Sequence, residues 1–477
     1  GGGEVMEPTG TPAIIEREDN RPAIAVLPFD NFSPNPDDAW FADGVHEDIT
    51  TALSRISAIS VPARSSVDQF KDDRPDSRGI ASILGVDFLL EGSGRIVGTQ
   101  MRVSVQLIDG GADRHVWSEE YDVPFSMDEV MRISSGIAQQ VAAGVGARIA
   151  PSERTAISSL PTKDLVAYRL VHRARTLWDQ RTAPEIRQAI DLYEEAIGRD
   201  PDYSDAFAGL AEASFFLTTS WDVEEVLRSV RRAVASAERA LELDPSAGGA
   251  HAVLGLIKLY FERDWEGAEE ELATAIGLDP DHAFAHHGYS VYLSALGRHE
   301  EALRELSIAQ RLDPLAQALS HGPAKMYFQA RQFDRAIEEA LQNLEANPEH
   351  HSTTIWLCRS YLMLERFEEG MQACAAAQSN SEGRSPHLGL YYAMRGERSQ
   401  AMREVEGTME VLGSPTLTSV EVFAVLGEVD EAVRTIRYLI DVDPMWPSIR
   451  LGIDPFLDPL RSDSRFIQIL RDMGLEG

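Results

Sequence analysis

"AIGLDPDHAFAHHG", residues 275–288, is the stretch whose reading decides the fold. A run with helical spacing stops at Asp279-Pro280, and a second starts at once with three histidines in its first turns. Proline ends the first run because its ring and missing N–H cannot continue a helical ladder. The same seam recurs at Pro201, Pro245, Pro280, Pro314, Pro348 and Pro444, with spacings of 44, 35, 34, 34 and 96. Twelve positions before each stands a small residue: Ala189, Ala233, Ala268, Ala302, Ala336 and Ala432. A second small position holds Ala196, Ala240, Ala275 and Ala309, and Tyr193, Leu272, Leu306 and Ile436 fill the space between. Residues this small let two helices approach closely, so the pattern predicts stacked helix pairs whose cohesion arises between neighbours.

The runs "AERALELDP", "ELATAIGLDP" and "LSIAQRLDP", with the turns "LGRHEEAL" and "LGEVDEAV", resemble the tetratricopeptide family in register. Residues 160–444 are expected to form an all-α superhelical solenoid of about eight pairs, the first closing at Pro201. About ten extra residues around "SWDVEEVLRS" explain the spacing of 44 in the second pair, the sixth ends near Ser379, and the seventh lacks its proline. Residues 445–477 then read as a cap over the apolar face of the last pair.

Residues 21–152 follow other periods. "PAIAVLPF" is a buried strand, "WFADGVHEDITTALSRI" an amphipathic helix, "ISVPAR" a short strand and "RGIASILG" a helix. Three alternating strands span 86–123, and "SMDEVMRISSGIAQQVAAGVGARIA" is a closing helix, so the order is βαβαβββα, a small α/β layer. The motifs "IAVLPFDNFS", "FADGVHEDITTALSR", "LGVDFLLEGSGR", "VSVQLID" and "HVWSEEYD" resemble the TolB amino-terminal-like domain. That domain precedes tetratricopeptide arrays in bacterial signalling proteins, downstream of a class III adenylate or guanylate cyclase, a winged-helix domain or a kinase. The resemblance therefore implies a regulatory region of such a protein. Residues 1–20, rich in Pro, Thr, Glu and Gly, read as a linker.

The net charge is −33, split as −12 over residues 1–160 (13 basic, 25 acidic) and −21 over the remainder (31 basic, 52 acidic). A chain acidic throughout repels a phosphate backbone, which argues against nucleic-acid binding. No stretch of about 18 apolar residues exists to insert in a membrane. Cys358 and Cys374 sit in apolar helical patterns and read as core thiols, which fits a cytoplasmic location. An extracytoplasmic one stays open if a membrane span precedes this region.

No Walker loop, dinucleotide fingerprint, Gly-x-Ser-x-Gly elbow or His-Glu-x-x-His helix is present, so no catalytic residue, metal or cofactor is assigned. Gly92-Ser93-Gly94 is expected in a strand-to-strand turn with no phosphate-binding helix after it. His282 and His286 are four apart, a spacing suited to a metal, but His286 takes a core position in the repeat register and packing is the better reading. His46, Glu47 and Asp48 are placed near a helix start, where acids favour the dipole, rather than in acid/base catalysis.

The inner, concave face carries the candidate partner site. His287 aligns with His321 and Lys325 with Arg359 under the 34-residue register, a small ladder of bases in an acidic protein. Tyr260, Phe284 and Phe328 would supply an apolar floor. Such a groove suits a protein or peptide segment bearing carboxylates, or a second copy of the chain. The alternative is that these bases only satisfy neighbouring acids. In the α/β domain, Asp43-Gly44 and Arg64-Ser65-Ser66 are read as following strand ends in a ligand turn, where ligands collect in open sheets; the alternatives are that Gly44 only permits a turn and Ser65 caps a helix.

Overall fold

The computed structural model describes residues 21–475 apart from 36–37, 63, 72–73, 159–160, 179, 181, 220–222, 314–316, 349, 378–385 and 443–448. Pro314, Ser379 and Pro444 therefore lie outside the described residues, as does the linker 1–20.

Apolar alternation in the first 150 residues builds one mixed sheet. β1 (Ile24–Val26) and β2 (Asp30–Asn31) run parallel to β3 (Phe88–Val97), and β4 (Gln100–Asp109) and β5 (Arg114–Pro124) continue it antiparallel. α1 (Ala39–Ser54) and α4 (Met127–Gly144) cover one face through Val45, Ile49, Ile133 and Ile137. The short α2 (Arg64–Asp68) and α3 (Ser77–Leu84) contribute to a second apolar cluster with Leu27 and Leu89. Gly92-Ser93-Gly94 lies inside β3 and not in a turn, because a Cβ on Gly92 would stand 2.3 Å from the Phe29 ring that packs over it. The "ISVPAR" stretch is not a strand. Among the described residues only the Ala23–Ser60 bridge pairs there, and the next N–H, of Val61, donates to the Asp281 carboxylate at 3.1 Å instead of extending a ladder.

After α5 (Pro151–Ala156) the chain becomes a helical solenoid, with eight pairs among the described residues. They are α6 (Leu165–Trp178) with α7 (Ala183–Arg199), α8 (Ser204–Phe216) with α9 (Val223–Leu243), and α10 (Gly248–Ile257) with α11 (Trp265–Leu278). Next come α12 (Ala283–Ala295) with α13 (His299–Leu312), then α14 (Gln317–Ser320) and α15 (Gly322–Gln329) with α16 (Phe333–Ala346). α17 (His351–Met363) with α18 (Phe367–Ala376), α19 (Pro386–Met394) with α20 (Arg398–Leu412), and α21 (Leu417–Val425) with α22 (Val429–Val442) complete the stack. All ten alanines of the two small positions are fully buried. The insertion in the second pair makes α9 the longest helix of the solenoid. The fifth pair's first helix breaks at His321, because Pro323 has no N–H for the Leu319 carbonyl, which accepts from Gln310 Nε2 at 3.1 Å instead.

Cys358 on α17 and Cys374 on α18 are buried and joined by a disulfide, so the core-thiol reading is corrected. With it goes the support those residues lent to a reducing compartment. The bridge ties the two helices of the sixth pair across a separation of 16 residues. Reduction is expected to cost about 3 kcal/mol by loop-closure entropy. Hydrogen exchange of residues 351–376 with and without dithiothreitol measures this, and unchanged exchange with both thiols alkylated would refute it.

The segment after the eighth pair comprises a 3-10 turn (Pro455–Leu460) and a last helix (Ser464–Asp472). Arg465 pairs with Asp430 at the start of α22, as a cap on the last pair requires. The segment also runs back along the stack: Arg331, between α15 and α16, pairs with Asp458, and Trp265 Nε1 at the start of α11 donates to the Met473 carbonyl at 2.7 Å. Leu451, Phe456, Leu457, Leu460 and Phe466 are buried by it.

Candidate partner-binding inner face

His287 on α12 and His321, at the break just before α15, stand one register apart, and α15 carries Lys325. The structure brings these three together. His321 also stacks on His350, with ring centroids 5.9 Å apart. Burial, and then Arg450, push Lys325 down to about 8. Burial and the Lys325 charge push His287 down to about 4, and burial with Lys325, His350 and His287 pushes His321 to about 3. At neutral pH both imidazoles are therefore uncharged, and the expected ladder of cations is one ammonium among neutral rings. Among the described residues Lys325 has no ion pair and no side-chain hydrogen bond, and the buried His321 Nδ1 has no partner. Tyr260 and Phe284 meet over Phe215, at 6.2 and 5.8 Å between centroids, and form an aromatic patch.

Phe328 and Arg359 are withdrawn from this face. Both are fully buried, covered by the chain's own carboxyl-terminal segment. The Arg359 guanidinium donates to Glu421 at 2.7 and 3.2 Å and to Asp454 at 2.7 Å. It lies 5.0, 5.3 and 4.8 Å from the ring centroids of Phe328, Trp356 and Phe456. Arg450 pairs with the same two carboxylates, so two cations balance two anions away from water. Burial opposes ionisation of Asp454, but the two guanidiniums overcome it and hold its carboxyl below the usual range. Arg359 thus follows the alternative reading, a base consumed by nearby acids, while Lys325 does not.

The α/β candidates are not turns. Asp43 and Gly44 lie within α1; Asp43 pairs with Lys71 at 3.1 Å, and Gly44 lets Tyr168 approach, since a Cβ there would stand 3.1 Å from its hydroxyl. Arg64 and Ser65 open α2, and their side chains lie outside the described residues. His46, Glu47 and Asp48 fall in the middle of α1, which begins at Ala39, so they cap nothing. His46 Nε2 bonds the Val26 carbonyl at 2.9 Å, while Glu47 pairs with Arg175 and Asp48 accepts from the Tyr168 hydroxyl. The last two join the α/β domain to α6.

Sequence reasoning missed Asp281, in the seam quoted first. Its carboxylate, with side-chain exposure of 3%, accepts from Arg21 at 2.8 Å and from the Val61 N–H, locking the α/β domain onto the fourth pair. His286 has both nitrogens engaged, Nδ1 with Glu305 at 2.6 Å and Nε2 with the Pro280 carbonyl at 2.9 Å, as packing requires. His251 repeats the arrangement one pair earlier, with Glu271 and Pro245. Among the described residues no group of three His, Cys, Asp or Glu is placed to hold a metal, and no helix is long and apolar enough to cross a membrane.

Comparison with known proteins adds to this geometry. A family of HilA/YgeH-like transcriptional regulators matches residues 20–139 through its second domain, in place of the TolB amino-terminal-like domain expected there. Tetratricopeptide repeats match residues 258–316 and 324–385. A curated relative, "Putative adenylate cyclase 3" of Rhizobium meliloti (strain 1021), is 31% identical over 291 residues, which are 59% of this chain. The match spans 42% of that relative's length. Among solved structures, a thermophilic tetratricopeptide protein of Thermus thermophilus, TTC0263, is 20% identical, covering 41% of this chain and 99% of that one with a TM-score of 0.34. A human IFIT1 dimer with m7Gppp-AAAA is 12% identical over 72% of this chain and 84% of that one, with a TM-score of 0.45.

Proposed function

We propose that this chain is a non-catalytic regulatory and scaffold region of a bacterial signalling protein, whose solenoid grips a carboxylate-bearing segment of a protein partner on its inner face. The observation that carries the reading is Lys325. In a chain of net charge −33 this ammonium has no counter-ion among the described residues, and beside it stand neutral His287 and the unpartnered His321 Nδ1. An incoming carboxylate supplies the missing anion and accepts from both. The Phe215, Tyr260 and Phe284 patch offers apolar contact. Affinity then comes from many modest contacts along the stack.

Capture of partners from the source cell by wild-type chain and Lys325→Glu tests it. The variant is expected to lose at least about tenfold in affinity, or 1.4 kcal/mol, for the partners retained by wild type. Identical capture by both would sink the reading. The charge also has a pH signature. A bound carboxylate favours the protonated lysine, so affinity is expected to fall as pH rises from 7 through 8 to 9. Lys325→Arg should bind without that fall, because guanidinium does not titrate there. Titration of a captured partner's acidic segment across that range checks both.

A second reading rests on the relatives. The match to a putative adenylate cyclase favours a gating region of a nucleotide cyclase, and the HilA/YgeH-like match favours a winged-helix transcription regulator. The coding sequence upstream separates them, since a class III cyclase domain and a basic winged helix are distinct in sequence.

A further inference from the structure

α1, the connection after α4 and the first two helix pairs enclose a cavity of about 350 Å3, the size that holds a small ligand. Asp48 and Thr51 of α1 line one wall, and Arg175, Tyr203 and Asp205 of the solenoid line the other. The charges on these walls do not balance. Arg175 is shared by two carboxylates, Glu47 at 3.1 Å and Asp205 at 3.6 Å, and among the described residues Asp48 has no lysine or arginine of its own. The Tyr168 hydroxyl donates to its Oδ2, and His172 Nε2 stands 3.8 Å from Oδ1, beyond hydrogen-bond distance. Burial raises the Asp48 carboxyl, and Glu47 and Asp205 add to the effect, so that it reaches about 7 against the opposing pull of Tyr168 and Arg175. Asp48 therefore ionises only near neutral pH, in surroundings whose other carboxylates favour a cation. Tyr203 is the second observation. The residue is 1% exposed and faces the cavity, yet its hydroxyl has no hydrogen-bond partner among the described residues.

We propose that this cavity binds a small aliphatic ammonium compound, its charged nitrogen against Asp48 and the Tyr203 hydroxyl and its chain between the α/β domain and the first two helix pairs. The walls come from both domains, so a guest there reports to their packing. An anion meets Asp48, Asp202, Asp205 and Asp244 together and is disfavoured, although Arg55 and Arg175 also line the cavity. The guest takes the place of the Asp48 proton, which leaves to solvent. Affinity therefore rises with pH, with His172 facing the same carboxylate at 3.8 Å.

The test uses the full chain with putrescine and ethanolamine as probes, measured by calorimetric titration and by thermal shift. Glycerol and acetate are the neutral and anionic controls. Sodium chloride at matched ionic strength removes the general stabilisation of an acidic protein by any cation. One amine is expected to bind at a single site, about tenfold more tightly at pH 8 than at pH 6 as Asp48 ionises. Asp48→Asn should weaken it at least tenfold and Tyr203→Phe measurably, with thermal stability otherwise retained. If Asp48→Asn does not fold, Tyr203→Phe and the pH profile decide. Failure of both amines to exceed the salt control, tighter binding of acetate, or wild-type affinity in Tyr203→Phe with a flat pH profile overturns the proposal.

Discussion

Alanine at Arg359 is expected to remove about 3–5 kcal/mol from the carboxyl-terminal half of the solenoid, because it strands two buried carboxylates on the single guanidinium of Arg450. The loss is one of balance rather than of a contact. Arg359→Lys keeps the charge but cannot reach Glu421 and Asp454 with one planar fork, and should cost about 1.5–3 kcal/mol. Removing Glu421 as well leaves a matched pair, Arg450 with Asp454. The double variant Arg359→Met/Glu421→Met is therefore expected to be more stable than Arg359→Ala alone, a non-additivity expected of groups in one network. A repeat array does not unfold in one step, so the readout is hydrogen exchange of residues 417–475 rather than a single global midpoint. Exchange unchanged in Arg359→Ala, or a double variant worse than the single, would refute the network.

The hairpins were legible because their code is local. A small residue at a fixed offset from a proline reports contact between adjacent helices, and all ten alanines so identified are buried. What register does not report is contact between residues far apart in the chain. Lys325 and Arg359 occupy the same repeat position, yet one has no counter-ion among the described residues and the other is sealed by Asp454, 95 residues downstream. Asp202 and Asp281 both follow the Asp-Pro seam, with side-chain exposures of 82% and 3%. Among the described residues only the second bonds to the α/β domain. The same docking ended the expected strand at Val61, and it placed Asp48 in a buried cluster instead of at a helix start. The disulfide escaped for a related reason: apolar surroundings fit a buried thiol and a buried bridge equally well.

Reversing the charge at Asp281 tests whether the two domains form one mechanical unit. In Asp281→Lys the new ammonium faces Arg21 instead of pairing with it, and the Val61 N–H loses its acceptor. Burying a like-charge pair and an unmatched donor is expected to cost about 3–5 kcal/mol of docking free energy. The contacts of Tyr168 and Arg175 with Asp48 and Glu47 remain, so the α/β domain should stay tethered at α6 while its far edge lifts from the fourth pair. Two observations follow from that asymmetry. Hydrogen exchange should rise at 59–61 and 279–283 but not at 165–175, and proteolysis should quicken in the connection between α4 and α6. Asp202→Lys, the same substitution in the same register, should do neither, because among the described residues its carboxylate pairs with Arg239 on the surface. Equal effects from the two variants would mean that Asp281 acts through its own repeat and not through the domain it touches.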